Sequence, residues 1–332
     1  MGFVRVGSVG GIVLSGCGAA RRCSARPPGA SRKRFTLRSS QAPPARAAPE
    51  RQPRQHASRP TAAATSTAEL AGAARIERTL QQVAQSPVVV CFRFTENDVN
   101  RYHGDARVLE HTVQALRQAH APDAPEYAAH EWRCAALTVL AARAVMDGGL
   151  TTLELTMTTP GALLALRELC RTCPEHAVIG AGTVLSAAQL ESAVRAGCRF
   201  AMSPVTMAEC TPHLSQYAGD HGVLFIPGAA TPSECAQAHR YAHLHGPVKV
   251  FPIDTVGGLR FVRALAGPLP HIPLLPTSGV TLDSVEEYLH APNVFAVGAS
   301  RQILPPEALR AGHWGAIGRR ASQWHAVLPR RE

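Results

Sequence analysis

Residues 151–182, TTLELTMTTPGALLALRELCRTCPEHAVIGAG, carry a clear signal of the fold class. The segment opens with a β-branched run, TTLELTM, continues through a Leu- and Ala-rich stretch typical of a helix, and ends in a second apolar run, HAVIGAG. A strand, a helix and a second strand in this order predict a βα unit whose two strands lie parallel in one sheet.

Runs of this kind recur along the chain from residue 88 onward. There are eight: VVVCFRF (88–94), TTLELTM (151–157), HAVIGAG (176–182), CRFAMSP (198–204), HGVLFIPG (221–228), PVKVFP (247–252), IPLLPTSG (272–279) and NVFAVGAS (293–300). Eight strands alternating with helices predict an α/β fold, the (β/α)₈ TIM barrel. A doubly wound open sheet is the alternative, but no GxGxxG sequence follows the first strand, as a dinucleotide-binding sheet requires.

The stretches between most of these runs carry helix signals. The clearest are residues 186–197, 231–246 and 281–291. Each begins at a Ser or Thr that can act as an N-cap, and the first two end at a glycine that can act as a stop.

The first 49 residues differ in composition from the rest. They hold nine Lys or Arg and no Asp or Glu, which leaves 25 basic and 24 acidic residues in the remainder. That nearly neutral remainder argues against a nucleic-acid partner. A segment rich in Arg, Ala, Ser and Pro and free of acid is typical of an organelle transit peptide. Its Ser and Pro content favours the plastid (chloroplast) stroma over the mitochondrion. A secretory signal fits less well, because the apolar run is short and a long basic tract follows it.

Two domain boundaries follow from these patterns. Residues 1–75 lack hydrophobic periodicity and are expected to form the transit peptide and a disordered linker. Residues 76–332 are expected to form the barrel, with a short helix at 76–86 leading into it. No run approaches the roughly 20 apolar residues that a membrane span needs, so no membrane partner is expected.

Residues 95–130 interrupt the rhythm of strands and helices. The segment is too long for an ordinary βα loop, so it is predicted to be an insertion with a helix near 105–119. In a barrel it emerges at the face where active sites are built. A lid over the site and a surface decoration both fit this position.

Lys249 is the residue with the clearest chemical signal. The chain has two lysines, Lys33 in the basic segment and Lys249 between two valines of a predicted strand. Lysine is rarely buried without a purpose. Desolvation disfavours its ammonium form, and the neutral amine can attack a carbonyl to form a Schiff base. A structural lysine paired with a carboxylate is the alternative.

Glu154 is the matching carboxylate. Alternation in TLELT places it on the face opposite Leu153 and Leu155, which is the inside of a barrel if the leucines face the helices. A carboxylate within reach of a Schiff base can shuttle protons. An ion pair inside the barrel, with Lys249 itself as partner, is the alternative.

Seven motifs in this order and spacing resemble the class I 2-keto-3-deoxy-6-phosphogluconate (KDPG) aldolase / 4-hydroxy-2-oxoglutarate aldolase family. They are GGLTTLELTMTTPGAL (148–163), GAGTVL (180–185), FAMSP (200–204), FIPGAATPSE (225–234), VKVFP (248–252), LPTSGV (275–280) and VGAS (297–300). The resemblance covers residues 86–325 and, with the transit peptide, suggests an algal or plant organellar member. It implies a homotrimeric (β/α)₈ barrel that needs no metal and no cofactor, with pyruvate and a phosphorylated keto acid as its small-molecule partners.

The resemblance also implies roles for individual residues. Lys249 matches the Schiff-base lysine and Glu154 the general acid/base, the two catalytic residues. Three residues match positions that line the pyruvate pocket of the family: Thr183, Pro204 and Phe251. Four match its phosphate-binding region: Thr277, Ser278, Gly279 and Ser300. Arg93 matches a substrate-binding arginine at the end of the first strand. The implied reaction is reversible cleavage of KDPG to pyruvate and glyceraldehyde 3-phosphate.

Two positions depart from the family pattern. Thr158 stands where many bacterial members have an arginine that binds a substrate carboxylate, a role that Arg93 is placed to take over. Ser278 stands where the phosphate loop usually has glycine; it keeps its backbone N–H and adds a hydroxyl. These departures leave two alternatives open: an aldolase for 4-hydroxy-2-oxoglutarate or an unphosphorylated 2-keto-3-deoxy sugar acid, and a catalytically retired barrel that acts as a binding protein.

Overall fold

The fold is built from parallel strands that alternate with helices along the chain. The computed structural model describes residues 67–120 and 127–329, so the predicted transit peptide and most of the linker lie outside the described residues. The strand segments are β1 (Val88–Phe92), β2 (Thr152–Thr156), β3 (Val178–Gly182), β4 (Phe200–Met202), β5 (Leu224–Ile226), β6 (Gly228–Ala229), β7 (Val248–Val250), β8 (Leu274–Pro276) and β9 (Val297–Ala299). Every predicted run contains a strand.

The helices cover the outside and the ends of the sheet. They are α1 (Thr67–Gln85), α2 (Glu96–Asn100), α3 (Ala106–His120), α4 (Ala129–Asp147), α5 (Ala162–Thr172), α6 (Ala187–Arg195), α7 (Thr211–Asp220), α8 (Pro232–His239), α9 (Leu259–Leu265), α10 (Leu282–Leu289), α11 (Pro306–Arg310) and α12 (Trp314–Ala326).

Pairing between the strands closes the sheet on itself. One run of hydrogen-bonded strands has the order β5-β4-β3-β2-β1-β9 and a second has the order β6-β7-β8, all parallel. Pro227 alone separates β5 from β6, and its carbonyl accepts a hydrogen bond from the Lys249 backbone N–H at 2.9 Å. Bridges between Leu274 and Val294 and between Thr277 and Gly298 join β8 to β9. Counting β5 and β6 as one strand gives eight, so the predicted (β/α)₈ barrel is confirmed.

Two separate apolar clusters stabilise the barrel. The larger lies between the strands and the surrounding helices and contains Leu153, Leu155, Val248 and Val250. The smaller fills the inside and contains members of five strands. Alternate residues of each strand therefore face the helices or the barrel interior, as the period of two in a strand requires.

The lead-in helix is longer than the sequence indicates. It begins at Thr67 instead of residue 76, so residues 67–75 are helical and not linker. Gly72, Ile76, Thr79 and Val83 form a buried stripe, and Ile76 and Val83 join the apolar cluster inside the barrel. The prediction failed at this end because the contact at Gly72 is made by a small residue: a Cβ there would lie 3.3 Å from the carbonyl oxygen of Gly219. Such a contact leaves no hydrophobic signal.

Of two further helix predictions, one is confirmed and the other is wrong at its C-terminal end. The helix predicted near 105–119 is α3, which buries Leu109, Val113 and Leu116 against the core. The helix predicted over 231–246 is too long, because α8 ends at His239 and the chain passes through a short 3₁₀ turn at His243–His245.

Candidate active site

Lys249 and Glu154 meet inside the barrel. The Lys249 Nζ lies 3.0 Å from the Glu154 Oε1, and the two residues are 4% and 0% exposed. Strands β7 and β2 turn both side chains inward because their neighbours in sequence face the helices. A buried ion pair adds little net stability, since desolvating two charges offsets their attraction. The pair is therefore better explained by chemistry than by folding.

The other contacts of the Lys249–Glu154 pair come from two sulfur atoms and an aromatic ring. The Cys91 Sγ lies 2.6 Å from the second carboxylate oxygen of Glu154, and the Lys249 Nζ lies 3.3 Å from the Met202 sulfur. The Lys249 amine also lies 5.7 Å from the centre of the Phe251 ring. Burial raises the pKa of the Cys91 thiol well above its ordinary value, and the negative charge of Glu154 raises it further. The sulfur is therefore a protonated thiol that donates to the carboxylate.

Two glycines of β3 make room for this arrangement. A Cβ at Gly182 would overlap the Glu154 carboxylate, and a Cβ at Gly180 would overlap the ring of Phe200. The GAG sequence of β3 therefore reflects close packing inside the barrel and not a turn, because neither glycine has a positive φ.

A cavity of about 690 Å³ opens above the pair at the carboxyl ends of the strands. Eight of the ten residues predicted for the site line it: Arg93, Glu154, Lys249, Phe251, Thr277, Ser278, Gly279 and Ser300. The structure therefore brings Lys249, Glu154 and the residues predicted to bind phosphate into one cavity.

The other two predicted residues, Thr183 and Pro204, are not among the residues that line this cavity. The Thr183 hydroxyl accepts a hydrogen bond from the Arg93 guanidinium at 3.2 Å, so it reaches the site through Arg93. The φ of Thr183 is 57°, in the left-handed region that β-branched residues rarely adopt. Pro204 packs against Gly228 of β6, because a Cβ at Gly228 would overlap the backbone of Pro204.

The loop after β8 has the most unusual backbone of the site. Ser278 and Gly279 have φ values of 81° and 71°. The serine therefore occupies a conformation that favours glycine, at a cost of roughly 1–3 kcal/mol. From the sequence, serine at this position indicates only a gain of a hydroxyl, because a residue pattern does not reveal the backbone strain. Helix α10 begins directly beyond this loop, after Thr281.

Several residues that line the cavity were not predicted from the sequence. Among them are Cys91, Asp98, Asp254, Arg301 and Arg310. For Cys91 a signal existed, because alternation puts it on the same face of β1 as Arg93. The contact of Cys91 with Glu154 depends on the register of β1 against β2, which places the two residues side by side. No residue pattern in the sequence specifies that register.

The predicted insertion supplies part of the cavity wall. The Arg310 guanidinium of α11 donates to the Asp98 carboxylate of α2 at 3.0 Å, and the backbone N–H of His103 donates to the Arg310 carbonyl at 2.8 Å. The start of the insertion is therefore tied to α11 at the mouth of the site. Thr158 lies outside this cavity, beside a second groove that Tyr127, His130 and Glu131 also line.

Two negative findings apply to residues 67–120 and 127–329. No helix there is both long and apolar enough to cross a bilayer. No group of three or more His, Cys, Asp and Glu side chains is arranged there as a metal ion would require.

Comparison with known proteins agrees with this geometry. The family model described as "Aldolase: KDPG and KHG aldolase" matches residues 134–320. The 2-dehydro-3-deoxy-phosphogluconate aldolase of Pseudomonas aeruginosa is 38% identical over 178 residues, which are 54% of this chain and 77% of that protein. The KHG/KDPG aldolase of Escherichia coli K12 is 34% identical over 182 residues, 55% of this chain and 82% of that protein.

Solved structures give the same result. A crystal structure of KDPG aldolase from Legionella pneumophila, with pyruvate captured as a covalent carbinolamine intermediate, is 28% identical. It superposes with a TM-score of 0.55 over 74% of this chain and 96% of the other. The Zymomonas mobilis ZM4 aldolase with 3-phosphoglycerate is 26% identical, with a TM-score of 0.53 over 74% of this chain and 94% of the other. The chain belongs to the KDPG and KHG aldolase family.

Proposed function

We propose that the chain is a class I aldolase that reversibly cleaves 2-keto-3-deoxy-6-phosphogluconate to pyruvate and glyceraldehyde 3-phosphate. The observation that carries this proposal is the buried Lys249 amine, 3.0 Å from the Glu154 carboxylate at the floor of an open cavity. An amine, a proton acceptor and a cavity for substrate are the parts that Schiff-base chemistry needs.

Lys249 and Glu154 act in successive steps of the reaction. Glu154 takes a proton from the Lys249 ammonium, and the neutral amine attacks the C2 carbonyl of the keto acid. Glu154 then returns this proton to the carbinolamine hydroxyl, which leaves as water and gives an iminium ion. A base removes the C4 hydroxyl proton, the C3–C4 bond breaks, and its electrons move into the iminium to form an enamine. The aldehyde leaves, C3 takes a proton, and water hydrolyses the imine to release pyruvate. Glu154 is the carboxylate within reach of these proton transfers.

Three features of the cavity support a phosphorylated substrate. Ser278, Gly279 and Thr281, which lead into α10, line the cavity, and the N-terminus of a helix is a common place for an anion to bind. The Ser300 hydroxyl donates to the Cys91 carbonyl at 2.7 Å and keeps its lone pairs for a ligand. Arg301 also lines the cavity and makes no ion pair within the described residues.

Arg93 is our candidate for the substrate carboxylate. It lines the cavity and is held by Thr183, whereas Thr158 is directed to the neighbouring groove. A guanidinium can bind a carboxylate through two parallel hydrogen bonds, which a threonine hydroxyl cannot do.

Borohydride trapping tests the mechanism. The full chain is incubated with pyruvate and sodium borohydride, and the modified peptide is mapped by mass spectrometry. We expect a pyruvyl adduct on Lys249 and none on Lys33, which serves as an internal control for non-specific reaction. Lys249→Met should remove both the adduct and the turnover. Turnover retained in that variant, or a folded wild-type chain that forms no adduct, would contradict the proposal and favour the retired barrel.

Substrate choice needs a separate measurement. We expect kcat/KM to be highest for the phosphorylated acid, because Arg301 and the Ser300 hydroxyl can both bind a phosphate group. Rates on 4-hydroxy-2-oxoglutarate and on unphosphorylated 2-keto-3-deoxygluconate provide the comparison. A higher kcat/KM for either would replace KDPG as the preferred substrate and leave the Schiff-base mechanism intact.

We further propose a homotrimer addressed to the plastid stroma, with the mitochondrion as the alternative compartment. The address is supported by the acid-free, Arg- and Ser-rich composition of residues 1–49. Cleavage should leave α1 intact, and therefore fall before Thr67, because Ile76 and Val83 pack inside the barrel. Fusion of residues 1–66 to a fluorescent protein, Edman sequencing of the mature chain and light scattering would test address, cleavage and assembly.

A further inference from the structure

The Cys91 thiol contacts the one carboxylate oxygen of Glu154 that Lys249 leaves free. Lys249 holds Oε1 at 3.0 Å, and the Cys91 sulfur lies 2.6 Å from Oε2. Cys91 is 8% exposed, and among the described residues Lys249 and Cys91 are the hydrogen-bond partners of this carboxylate. Each oxygen of Glu154 thus has one donor of a different kind.

Formation of the Schiff base changes only one of these two donors. Lys249 begins as an ammonium with three N–H groups and becomes an imine or enamine nitrogen with at most one. The thiol takes no part in that chemistry. It also stays protonated, because burial and the Glu154 charge both raise the pKa of Cys91. Its hydrogen bond to the carboxylate is therefore available throughout the reaction.

The backbone holds Cys91 firmly in place. Strand β1 pairs with β2 on one side, where Cys91 and Glu154 are direct partners in the register, and with β9 on the other. The Ser300 hydroxyl donates to the Cys91 carbonyl at 2.7 Å. A donor fixed by three strands can define the orientation of a carboxylate that would otherwise turn about its last torsion.

We propose that Cys91 is a positioning residue, whose thiol holds the Glu154 carboxylate with Oε1 towards the reacting nitrogen and stabilises its ionised form. This inference rests on the proposed function and adds a residue to it. The other charged groups that face the thiol are Lys249 from β7 and Arg93 from its own strand, and neither contacts Oε2 of Glu154.

The pH dependence of kcat tests this role. A hydrogen bond to a charged group favours the charged form, so its loss should move the acidic limb of the kcat profile to higher pH. We expect Cys91→Val, which has a similar volume and no donor, to show this displacement with a roughly three- to tenfold lower kcat at neutral pH. Cys91→Ser keeps a donor and should restore the wild-type profile in large part.

The matched control is Cys198→Val. Cys198 is a second buried thiol, 1% exposed, outside the cavity lining. It should leave the kcat profile unchanged, so a displacement seen only at Cys91 cannot come from repacking. A Cys91→Val profile that superposes on that of the wild type would overturn the proposal.

Infrared spectroscopy provides a readout that does not depend on turnover or on the folding of the valine variant. The difference spectrum between wild type and Cys91→Ser isolates the S–H stretching band of Cys91, which a hydrogen bond to a carboxylate lowers in frequency. We expect the band to rise in frequency in Glu154→Gln. A band at the frequency of a free thiol, or one unmoved by Glu154→Gln, would overturn the inference. Wild-type protein that traps no pyruvate would instead contradict the proposed function.

Discussion

Two buried glutamates of this protein have contrasting surroundings. Glu154 is completely buried and has one amine and one thiol as its partners. Glu168 on α5 is 6% exposed and has three nitrogen-bearing partners from three helices. They are His120 of α3 at 3.0 Å, Arg143 of α4 at 3.6 Å and Arg171 of α5 at 2.9 Å.

These surroundings indicate different roles for the two carboxylates. The partners of Glu168 include two guanidiniums that stay charged at any working pH. They stabilise its negative charge and hold the side chain in place. It joins the insertion helix α3 to α4 and α5. Among residues 67–120 and 127–329, Glu154 has a single cationic partner, and that partner is an amine that can lose its proton and form a covalent bond. One carboxylate secures a helix contact, and the other is left available for proton transfer.

The largest expected effect separates the two glutamates by rate. Glu154→Gln should lower kcat by roughly 10²–10⁴-fold, because the amide keeps the shape of the carboxylate and cannot accept a proton. Steady-state kinetics with 2-keto-3-deoxy-6-phosphogluconate measures this loss, and circular dichroism checks the fold. Glu168→Gln is the matched variant and should leave kcat within about twofold of the wild type. Equal losses of kcat in both variants would contradict the different roles of the two glutamates.

A second prediction tests the space around Glu154. Gly182→Ala should displace the carboxylate, because a Cβ there would overlap it, and we expect kcat to fall at least about 10²-fold as proton transfer loses its geometry. Gly267→Ala is the control, since a Cβ at Gly267 has no neighbour within 4 Å. Wild-type kcat in Gly182→Ala would mean that the position of Glu154 is not critical.

Much of this contrast could be predicted from the sequence, because it depends on local pattern. The single lysine of a predicted strand identified Lys249, and alternation in TLELT turned Glu154 inward. The eight apolar runs were sufficient for the barrel. Each of these conclusions needs only the period of two along a strand and the ends of the strands.

The parts that could not be predicted depend on relations between segments. The Cys91–Glu154 contact needs the register of β1 against β2, and a one-residue slip would turn Cys91 to the other face. The tie between Asp98 and Arg310 joins residues more than 200 positions apart. The left-handed backbone of Thr183 and Ser278 is imposed by the surrounding structure and contradicts the local preference of both residues.

A third prediction concerns stability at the other glutamate. Glu168→Gln should lower the free energy of unfolding by roughly 1–3 kcal/mol, because His120 and two arginines would lose a buried charged acceptor. Urea unfolding measures the loss, and hydrogen exchange of the α3 amides should show where it acts. Unchanged stability together with unchanged protection of α3 would contradict the anchoring role.

A third carboxylate, Asp98, extends the comparison to a partly buried site, with the smallest expected effect. Burial raises its pKa, but hydrogen bonds from Thr95 and the Arg310 guanidinium outweigh this and hold the pKa below its ordinary value of 3.8. The ionised form is therefore favoured by folding. Its contribution to stability is complete above that ordinary value and is lost as the pH falls through the lowered pKa.

Asp98→Asn should therefore be less stable than the wild type by about 0.5–1 kcal/mol at pH 7. The gap should persist at pH 5 and shrink as the pH falls below about 3.8, where the wild-type carboxylate takes up its proton. Urea unfolding of both proteins across this range measures the gap. Glu287→Gln, at an exposed pair with Arg263, is the control and should change stability by less than about 0.5 kcal/mol at every pH. A gap at pH 3 as large as at pH 7 would contradict this account, because the contribution of Asp98 to stability would then not follow the ionisation of its carboxylate.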